Sequence, residues 1–355
     1  MILSKQIINW YKKNKRDLPW RNTNDSYFIW LSEIIMQQTR VEQGLPYYLK
    51  FTTQYPTIKK LARAKDDDVL KLWQGLGYYN RAANMLKTAR AIVEEHDSMF
   101  PNSYIELIKL VGIGPYTAAA ISSFAFNEPR AVVDGNVSRV LSRLFLIDEP
   151  INSSKGKKVF EEIANEIIDK KNPGLHNQAI MELGAMVCKP RQPLCEECPV
   201  RMHCEALKGK SYHQFPVKKK KLPPKNRYVN YIFVEQKGKT FIIQRTEKEI
   251  WKGLYELPNF DSEKDINEHE LLKSSAFKKL FKSVTKPHLE KIFSVKHQLS
   301  HQTIYADFFK LTAKQKINMP NKSFIYIDID KLQTYAVPRL FDKFLNYLNL
   351  HSNQK

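Results

Sequence analysis

No apolar run in this chain approaches the roughly 20 residues that a membrane-spanning helix needs. The N-terminal stretch MILSKQIINWYKKNKRDLPW is periodic and well charged. It has neither the continuous apolar core nor the small-residue cleavage site of a signal peptide. These absences lead us to expect a cytoplasmic protein with no membrane association. Cysteine is missing everywhere except between Cys188 and Cys204, where all 4 are found. Disulfides that staple a fold would be scattered along it, so a tight cluster points to a metal instead. No internal repeat occurs at a solenoid period. Acidic residues are outnumbered, with 37 Asp and Glu against 57 Lys and Arg, a net charge of +20. Such an excess points to an anionic partner, nucleic acid first. An ordinary surface rich in solvated lysine gives the same count.

At 355 residues the chain is long enough for two domains, and its 43% hydrophobic content fits a globular protein. Apolar residues recur at helical spacing in Ile7–Trp10, Phe28–Ile35, Val69–Trp73, Met85–Ile92, Ile105–Leu110, Tyr116–Phe126, Val137–Leu146 and Val159–Ile168. Ser103-Tyr104-Ile105-Glu106 reads as a capping box after Pro101. The texture changes near residue 205. KGKSYHQFPVKKKKLPPKNR is basic, contains proline and has little periodicity, so residues 208–227 read as a basic linker. Its lysine run is placed to touch DNA phosphates or simply to be solvated. Beyond it Tyr228–Val234, Thr240–Arg245, Leu289–Lys296, Gln302–Leu311 and Ser323–Ile327 have β-type composition. One helix is expected from Asn267 to Lys282 and another after Pro338. The expected architecture is multidomain: an all-α domain over residues 1–207, the linker, and an α+β domain over residues 228–355.

The cysteines follow the spacing Cys188-x6-Cys195-x2-Cys198-x5-Cys204, and four thiolates can close around one metal centre. Zinc and a cubane iron–sulfur cluster both take such a set. Leu110-Val111-Gly112-Ile113-Gly114-Pro115-Tyr116 lies between two apolar helical segments. Gly112 and Gly114 allow a tight turn, Pro115 suits the first turn of a helix, and amides there bind phosphate without reading sequence. A plain helical hairpin would look the same. Asp134 precedes a helix start, where an N-cap is the simplest role. Glu33 sits among Phe28, Ile29, Trp30, Leu31, Ile34, Ile35 and Met36. A carboxylate there either faces water on a polar stripe or lines a cleft.

Taken together, Leu18-Pro19-Trp20-Arg21, the run Trp30 to Val41 (WLSEIIMQQTRV), the run Gly75 to Ala82 (GLGYYNRA), Val133-Asp134-Gly135-Asn136-Val137 and Met181-Glu182-Leu183-Gly184-Ala185 resemble the signature of the adenine DNA glycosylases, the MutY family. The cysteine spacing resembles the cluster loop of the wider endonuclease III superfamily, and the glycine turn its helix-hairpin-helix. The resemblance spans residues 18–204. It implies a helix-hairpin-helix glycosylase domain with a 4Fe-4S cluster held at residues 188–204 by Cys188, Cys195, Cys198 and Cys204. Glu33 would protonate N7 of adenine and Asp134 would stabilise the cationic sugar, with Tyr116 and Asn136 supporting them. Trp20, Arg21 and Glu182 would surround the extruded base. Gln38 and Tyr79 would fill the vacated stack, Tyr79 having an ordinary core role as its alternative.

In endonuclease III a lysine nucleophile occupies the place of Tyr116, and tyrosine forms no Schiff base, so hydrolytic base removal without a strong lyase step is expected. The run Glu249 to Pro258 (EIWKGLYELP) fits the Trp-x-Gly-Leu pattern of the family's Nudix-like domain. No Arg-Glu-x-x-Glu-Glu metal-binding run follows Pro258, so no nucleotide hydrolysis is expected. The resemblance implies that His297-Gln298-Leu299-Ser300-His301 reads 8-oxoguanine opposite the adenine, through Ser300 and His301 and with Leu299 where the family often has Phe. A polar turn between two strands is the alternative. The expected partner is double-stranded DNA carrying 8-oxoguanine–adenine or guanine–adenine mispairs, met by a monomer at the bacterial nucleoid.

Overall fold

The computed structural model describes residues 2–220, 222–246 and 250–352, without the side chains of 350–352. Lys221 of the basic stretch and Glu249 of the Trp-Gly-Leu segment lie outside the described residues. The helical part runs α1 Ile2–Asn14, α2 Ser26–Met36, α3 Val41–Gln54, α4 Ile58–Ala62, α5 Asp66–Trp73, α6 Asn80–Glu95, α7 Tyr104–Leu107, α8 Pro115–Phe126, α9 Gly135–Phe145, α10 Ser154–Ile167, α11 Pro173–Met186 and α12 Glu205–Lys208. None of the described helices is long and apolar enough to cross a membrane.

Local chemistry sets the helix ends. Asp25 caps α2 by accepting the Tyr27 N–H at 2.8 Å, and Ser153 caps α10 through the Gly156 N–H at 2.8 Å. Helices α8 and α9 end on Asn127 and Leu146, both with left-handed backbone. The expected segment Ile105–Leu110 is helical only to Leu107. Half of the expected capping box forms there: Ser103 accepts the Glu106 N–H at 3.4 Å. The Glu106 carboxylate takes the Ser103 hydroxyl proton at 2.9 Å rather than the backbone N–H that would close the box. Around α9 and α11 a core forms from Ile7, Tyr11, Val137, Val140, Leu144, Phe160, Ile180 and Leu183. The Ser4 hydroxyl meets His176 Nδ1 at 2.9 Å and pins α1 to α11.

The second part contains β1 Lys225–Val234, β2 Lys239–Gln244, β3 Tyr255–Glu256, β4 Asn259–Ser262, α13 Glu268–Lys273, α14 Ser275–Leu280, β5 His288–Gln298, β6 Gln302–Thr312, β7 Phe324–Asp328 and α15 Arg339–Ser352. One sheet has the order β4-β1-β6-β5, with β1 parallel to β6, and the other the order β3-β2-β7. Strand β1 is central, so its two faces enter different cores. Val229, Tyr231 and Phe233 face α15, whereas Ile232 and Val234 pack with Phe277 and Phe281. Tyr231 stacks on Phe308 at 4.7 Å, and Phe308 stacks on Phe344 of α15 at 4.3 Å. The single helix expected from Asn267 is two helices, because Ser274 leaves helical geometry and caps α14 through the Phe277 N–H.

Backbone packing divides the described residues into two units, Met1–Arg63 with Asn84–Lys221, and Ala64–Ala83 with Leu222–Lys355. Helix α5 thus packs with the sheets. Asp67 accepts the Tyr255 hydroxyl at 3.1 Å, Lys71 donates to the Tyr335 carbonyl at 3.0 Å, and Gln74 donates to Asp342 at 3.1 Å. The basic stretch is strapped down at its start. Arg143 donates to the carbonyls of Tyr212 at 3.0 Å and Phe215 at 3.3 Å, and the Ile151 N–H bonds the Val217 carbonyl at 3.1 Å.

Candidate active site

Glu33 projects from α2, whose apolar run packs the helix into the core and carries the carboxyl inside with it. The residue is 8% exposed. Burial pushes its carboxyl up to about 7, against a hydrogen bond from the Tyr116 hydroxyl; the charge of Asp134 adds to the rise and that of Arg21 opposes it. Tyr116 comes from the first turn of α8, and its phenol is raised well above its ordinary value by burial and then by Glu33 and Asp134. Its hydroxyl is thus bonded to one carboxyl and within the field of the other.

Asp134 is indeed the N-cap of α9, and it also belongs to the acidic pair. Its Oδ1 accepts the N–H groups of Asn136 at 2.8 Å and Val137 at 2.7 Å, and its Oδ2 accepts the Asn136 amide at 2.9 Å. Burial still raises its carboxyl above the ordinary value, against those bonds. The cap thus fixes both oxygens of a carboxylate that faces the site. Gly184 makes this possible from α11: a Cβ there would lie 2.7 Å from Asn136 Cβ and 2.9 Å from the Asn136 carbonyl oxygen.

Three spaces open around these groups, one of them a cavity of about 380 Å³ lined by Tyr116, Asp134 and Ser138. A cleft of about 1110 Å³ is lined by Gln38, Arg40, Gly112, Gly114, Tyr116, Asp134, Asn136, His213 and Lys218, among others. Left-handed backbone at the hairpin is needed only at Gly112, with φ +76°, where a Cβ would also strike Asn84 at 2.7 Å. Gly114 is extended and caps α8. A separate pocket of about 50 Å³ is lined by Trp20, Arg21, Ile29, Ser32, Glu33, Phe124, Gln178 and Met181. That volume holds a few waters, so a purine requires the pocket to widen.

Several expected site residues meet here and others do not. Trp20 and Arg21 line the small pocket with Glu33, and Trp20 packs edge-on against Tyr48 at 5.1 Å. Gln38 lines the cleft with left-handed backbone, φ 54°. Glu182 does not line the pocket; it is 1% exposed and is consumed by Arg16 and Arg21. Tyr79 is 6% exposed, and its hydroxyl accepts the Gly75 N–H at 3.4 Å, which fits the core role that was its alternative. Its neighbour Tyr78 is 54% exposed and has left-handed backbone, φ 49°. Tyr78, Tyr79 and the β5–β6 turn belong to the second unit. In that turn Ser300 and His301 are exposed and their side chains meet at 3.5 Å, whereas Leu299 is half-buried against the second unit's core.

Sequence reasoning missed three residues that hold the site. Tyr11 donates to Gln178 Oε1 at 2.7 Å, which orients an amide on the pocket wall and leaves its N–H₂ group to donate. Arg139 ties the cap to the cysteine loop, donating to Asn136 Oδ1 at 2.9 Å, to the Gly184 carbonyl at 2.7 Å and to the Cys188 carbonyl at 2.7 Å. Arg143, one turn on, donates to Cys188 Sγ at 3.3 Å and to the carbonyls of Lys189 and Pro190 at 2.8 and 2.9 Å. Helical spacing of four residues puts both guanidiniums on one face of α9.

The four cysteine side chains line one small cavity with Arg143, Val187, Leu194 and Tyr212. Burial pushes the Cys198 thiol up to about 11, against the Val200 N–H, and the other three thiols add to the rise. Burial also raises Cys195 and Cys204. Among the described residues no three His, Cys, Asp or Glu converge as they would on one bound ion. Four sulfurs lining one small cavity in a half-buried loop form a donor set that fits a cationic metal centre.

Comparison with known proteins agrees with this arrangement. The profile of the HhH-GPD superfamily base excision DNA repair proteins matches residues 31–170, and that of the NUDIX domain matches residues 229–347. The chain is similar to the adenine DNA glycosylase of Buchnera aphidicola subsp. Schizaphis graminum (strain Sg), 35% identical over 352 residues, which are 97% of this chain and 98% of that protein. It is similar to the adenine DNA glycosylase of Rattus norvegicus, 35% identical over 307 residues, 72% of this chain and 60% of that one. A solved thermostable thymine-DNA glycosylase superposes with a TM-score of 0.54 at 27% identity, covering 58% of this chain and 95% of that chain. The chain belongs to the adenine DNA glycosylase family, an HhH-GPD base excision repair domain joined to a Nudix-like domain.

Proposed function

We propose that the protein hydrolytically removes adenine mispaired with 8-oxoguanine or guanine in duplex DNA and leaves an abasic site. The observation that carries this reading is the buried Glu33 carboxyl, bonded to Tyr116 and facing the capped Asp134. The C1′–N9 bond breaks, its electron pair leaves with the base, and the Glu33 proton goes to N7. The fixed Asp134 carboxylate opposes the charge of the sugar cation, and water adds to C1′, its proton passing to the Glu33 carboxylate that the first step left behind. Tyr116 keeps the two carboxyls in register, and Asn136 orients Asp134. Trp20, Arg21 and Gln178 meet the extruded base. No amine stands at residue 116, so no covalent DNA adduct forms through it.

Backbone amides at Gly112 and Gly114 and the side chains of Gln38, Arg40 and Lys218 face the DNA in the cleft. Tyr78 takes the stack-filling role expected of Tyr79, because it is the exposed member of the pair. Ser300 and His301 hydrogen-bond 8-oxoguanine, with residues 228–355 as the lesion-reading domain and residues 1–207 as the catalytic one. Cys188, Cys195, Cys198 and Cys204 would hold a 4Fe-4S cluster, which when bound supplies four iron–thiolate bonds that fix the loop. The protein works as a monomer on chromosomal DNA in the bacterial cytoplasm.

Incubation with a duplex carrying one 8-oxoguanine–adenine pair tests the proposal. Strand cleavage at the adenine is expected only after alkali, with no adduct trapped by borohydride. An intact strand after alkali, or a trapped adduct, would contradict it.

A further inference from the structure

Glu182 is a charge with almost no solvent, at 1% exposed. Its two oxygens are covered by two guanidiniums. Arg16 donates from Nε to Oε1 at 2.9 Å and from Nη2 to Oε2 at 2.7 Å, and its backbone N–H adds a bond to Oε1 at 3.0 Å. Arg21 donates from Nη1 to Oε1 at 2.8 Å and from Nη2 to Oε2 at 2.7 Å. Arg21 also donates to the Arg16 carbonyl at 3.2 Å and lies over the Tyr11 ring at 5.5 Å. Every donor direction of Arg21 that these bonds use is fixed, so the guanidinium cannot turn away. It lines the same small pocket as Glu33.

A bare guanidinium at that wall would favour the ionised carboxylate and strip an acid of its proton. Two arginines on one carboxylate leave one net positive charge, and the nearer one, Arg21, is bidentate to the anion beneath it. We propose that Glu182, braced by Arg16, is a positioning residue: it presents Arg21 to the base while cancelling most of its field at Glu33, so that the acid keeps its proton for the departing purine. This rests on the reading of Glu33 as the acid. The groups facing Glu33 are Tyr116 from α8, Asp134 from the cap of α9 and Arg21 from the turn after Pro19. Those facing Arg21 are Tyr11 of α1, Arg16, and Glu182 of α11. Burial pushes the Glu182 carboxyl up, but the bonds from Arg21 and Arg16 hold it down at about 2, so it remains an anion wherever the enzyme works.

The test is single-turnover release of adenine from a duplex with one 8-oxoguanine–adenine pair, followed from about pH 5 to about pH 9. The unaltered protein loses rate as pH rises through about 7. Glu182→Gln moves that fall down by about one pH unit, a roughly fivefold loss at neutral pH that grows toward about tenfold at higher pH and that acid restores. Adding Arg21→Met to Glu182→Gln returns the fall to its original pH or above. Arg16→Gln, a change at a partly exposed side chain, moves the fall upward instead. A uniform loss of rate with an unmoved midpoint in Glu182→Gln and Arg16→Gln would overturn the inference and leave Glu182 a merely structural residue. No adenine release by the unaltered protein at any pH would instead overturn the functional reading beneath it.

Discussion

A carboxyl placed among Ile29, Phe124 and Met181 holds its proton further into neutral pH than one in water, and that has a consequence for stability. Glu33 is raised from its ordinary value to about 7 by burial, against the Tyr116 bond. The folded state therefore binds more protons than the unfolded chain between those two values. Stability is fully present below the unfolded value and is lost as pH rises through the folded one. Glu33→Gln removes the cost of ionisation, so it is expected to stabilise the protein by about 1–3 kcal/mol at pH 8 or so and by almost nothing near pH 4. Thermal unfolding at the two pH values checks this, and an equal change at both would count against a buried acid. Glu33, Asp134 and Tyr116 were legible because each stands in a short run of distinctive residues. Arg16, Arg139 and Arg143 were not, because their partners lie 45 to 166 residues away along the chain and a lone arginine carries no local pattern. Tyr78 and Tyr79 are the same residue type side by side, so residue type gives no sign of which ring is outside.

Elements were legible where apolar residues repeat on one face. Helices α9 and α10 and strand β5 follow such patterns, whereas α2, α8 and β1, buried nearly all round, were legible from the density of their apolar residues. Helix α3 was overlooked because Gly44 and Pro46 lie inside it, and α11 because small and apolar residues surround it on every side, as suits a helix buried between α1, α8 and α9. Strands β3 and β4, of 2 and 4 residues, are too short to show an alternation. The contact between α1 and α11 carries its own pH dependence. His176 is 2% exposed and burial holds its imidazole down at about 4. The unfolded chain binds the extra proton between that value and its ordinary 6.5, so stability is lost as pH falls through this window. His176→Gln is expected to flatten that acid-side loss, which amounts to at most about 3 kcal/mol. Urea unfolding at several pH values measures it; an unchanged slope below about pH 6 would refute the assignment.

At the scale of the molecule, chain length and the change of texture near residue 205 conveyed the two-part plan, yet the backbone groups Ala64–Ala83 with the sheets rather than with the other helices. Linear reading misses this because α5 has an ordinary amphipathic pattern and its partners, Tyr255, Tyr335 and Asp342, follow it by more than 180 residues. The exposed Tyr78 and the Ser300–His301 turn therefore belong to one unit. The net charge of +20 bears on the whole surface. Duplex affinity is expected to fall by about 100-fold or more between roughly 50 and 200 mM salt, and Lys218→Ala to reduce the log–log slope by about 0.9, the share of one phosphate. An unaltered slope would remove Lys218 from the DNA-facing wall.

The central claim is that one buried proton on Glu33 cleaves the bond to adenine. Glu33→Gln, nearly identical in shape and unable to donate that proton, is measured against the unaltered protein for binding and single-turnover base release on the same 8-oxoguanine–adenine duplex. The account predicts binding within about threefold and release slowed by at least about 10²–10⁴-fold. Release within about tenfold of the unaltered rate would contradict it.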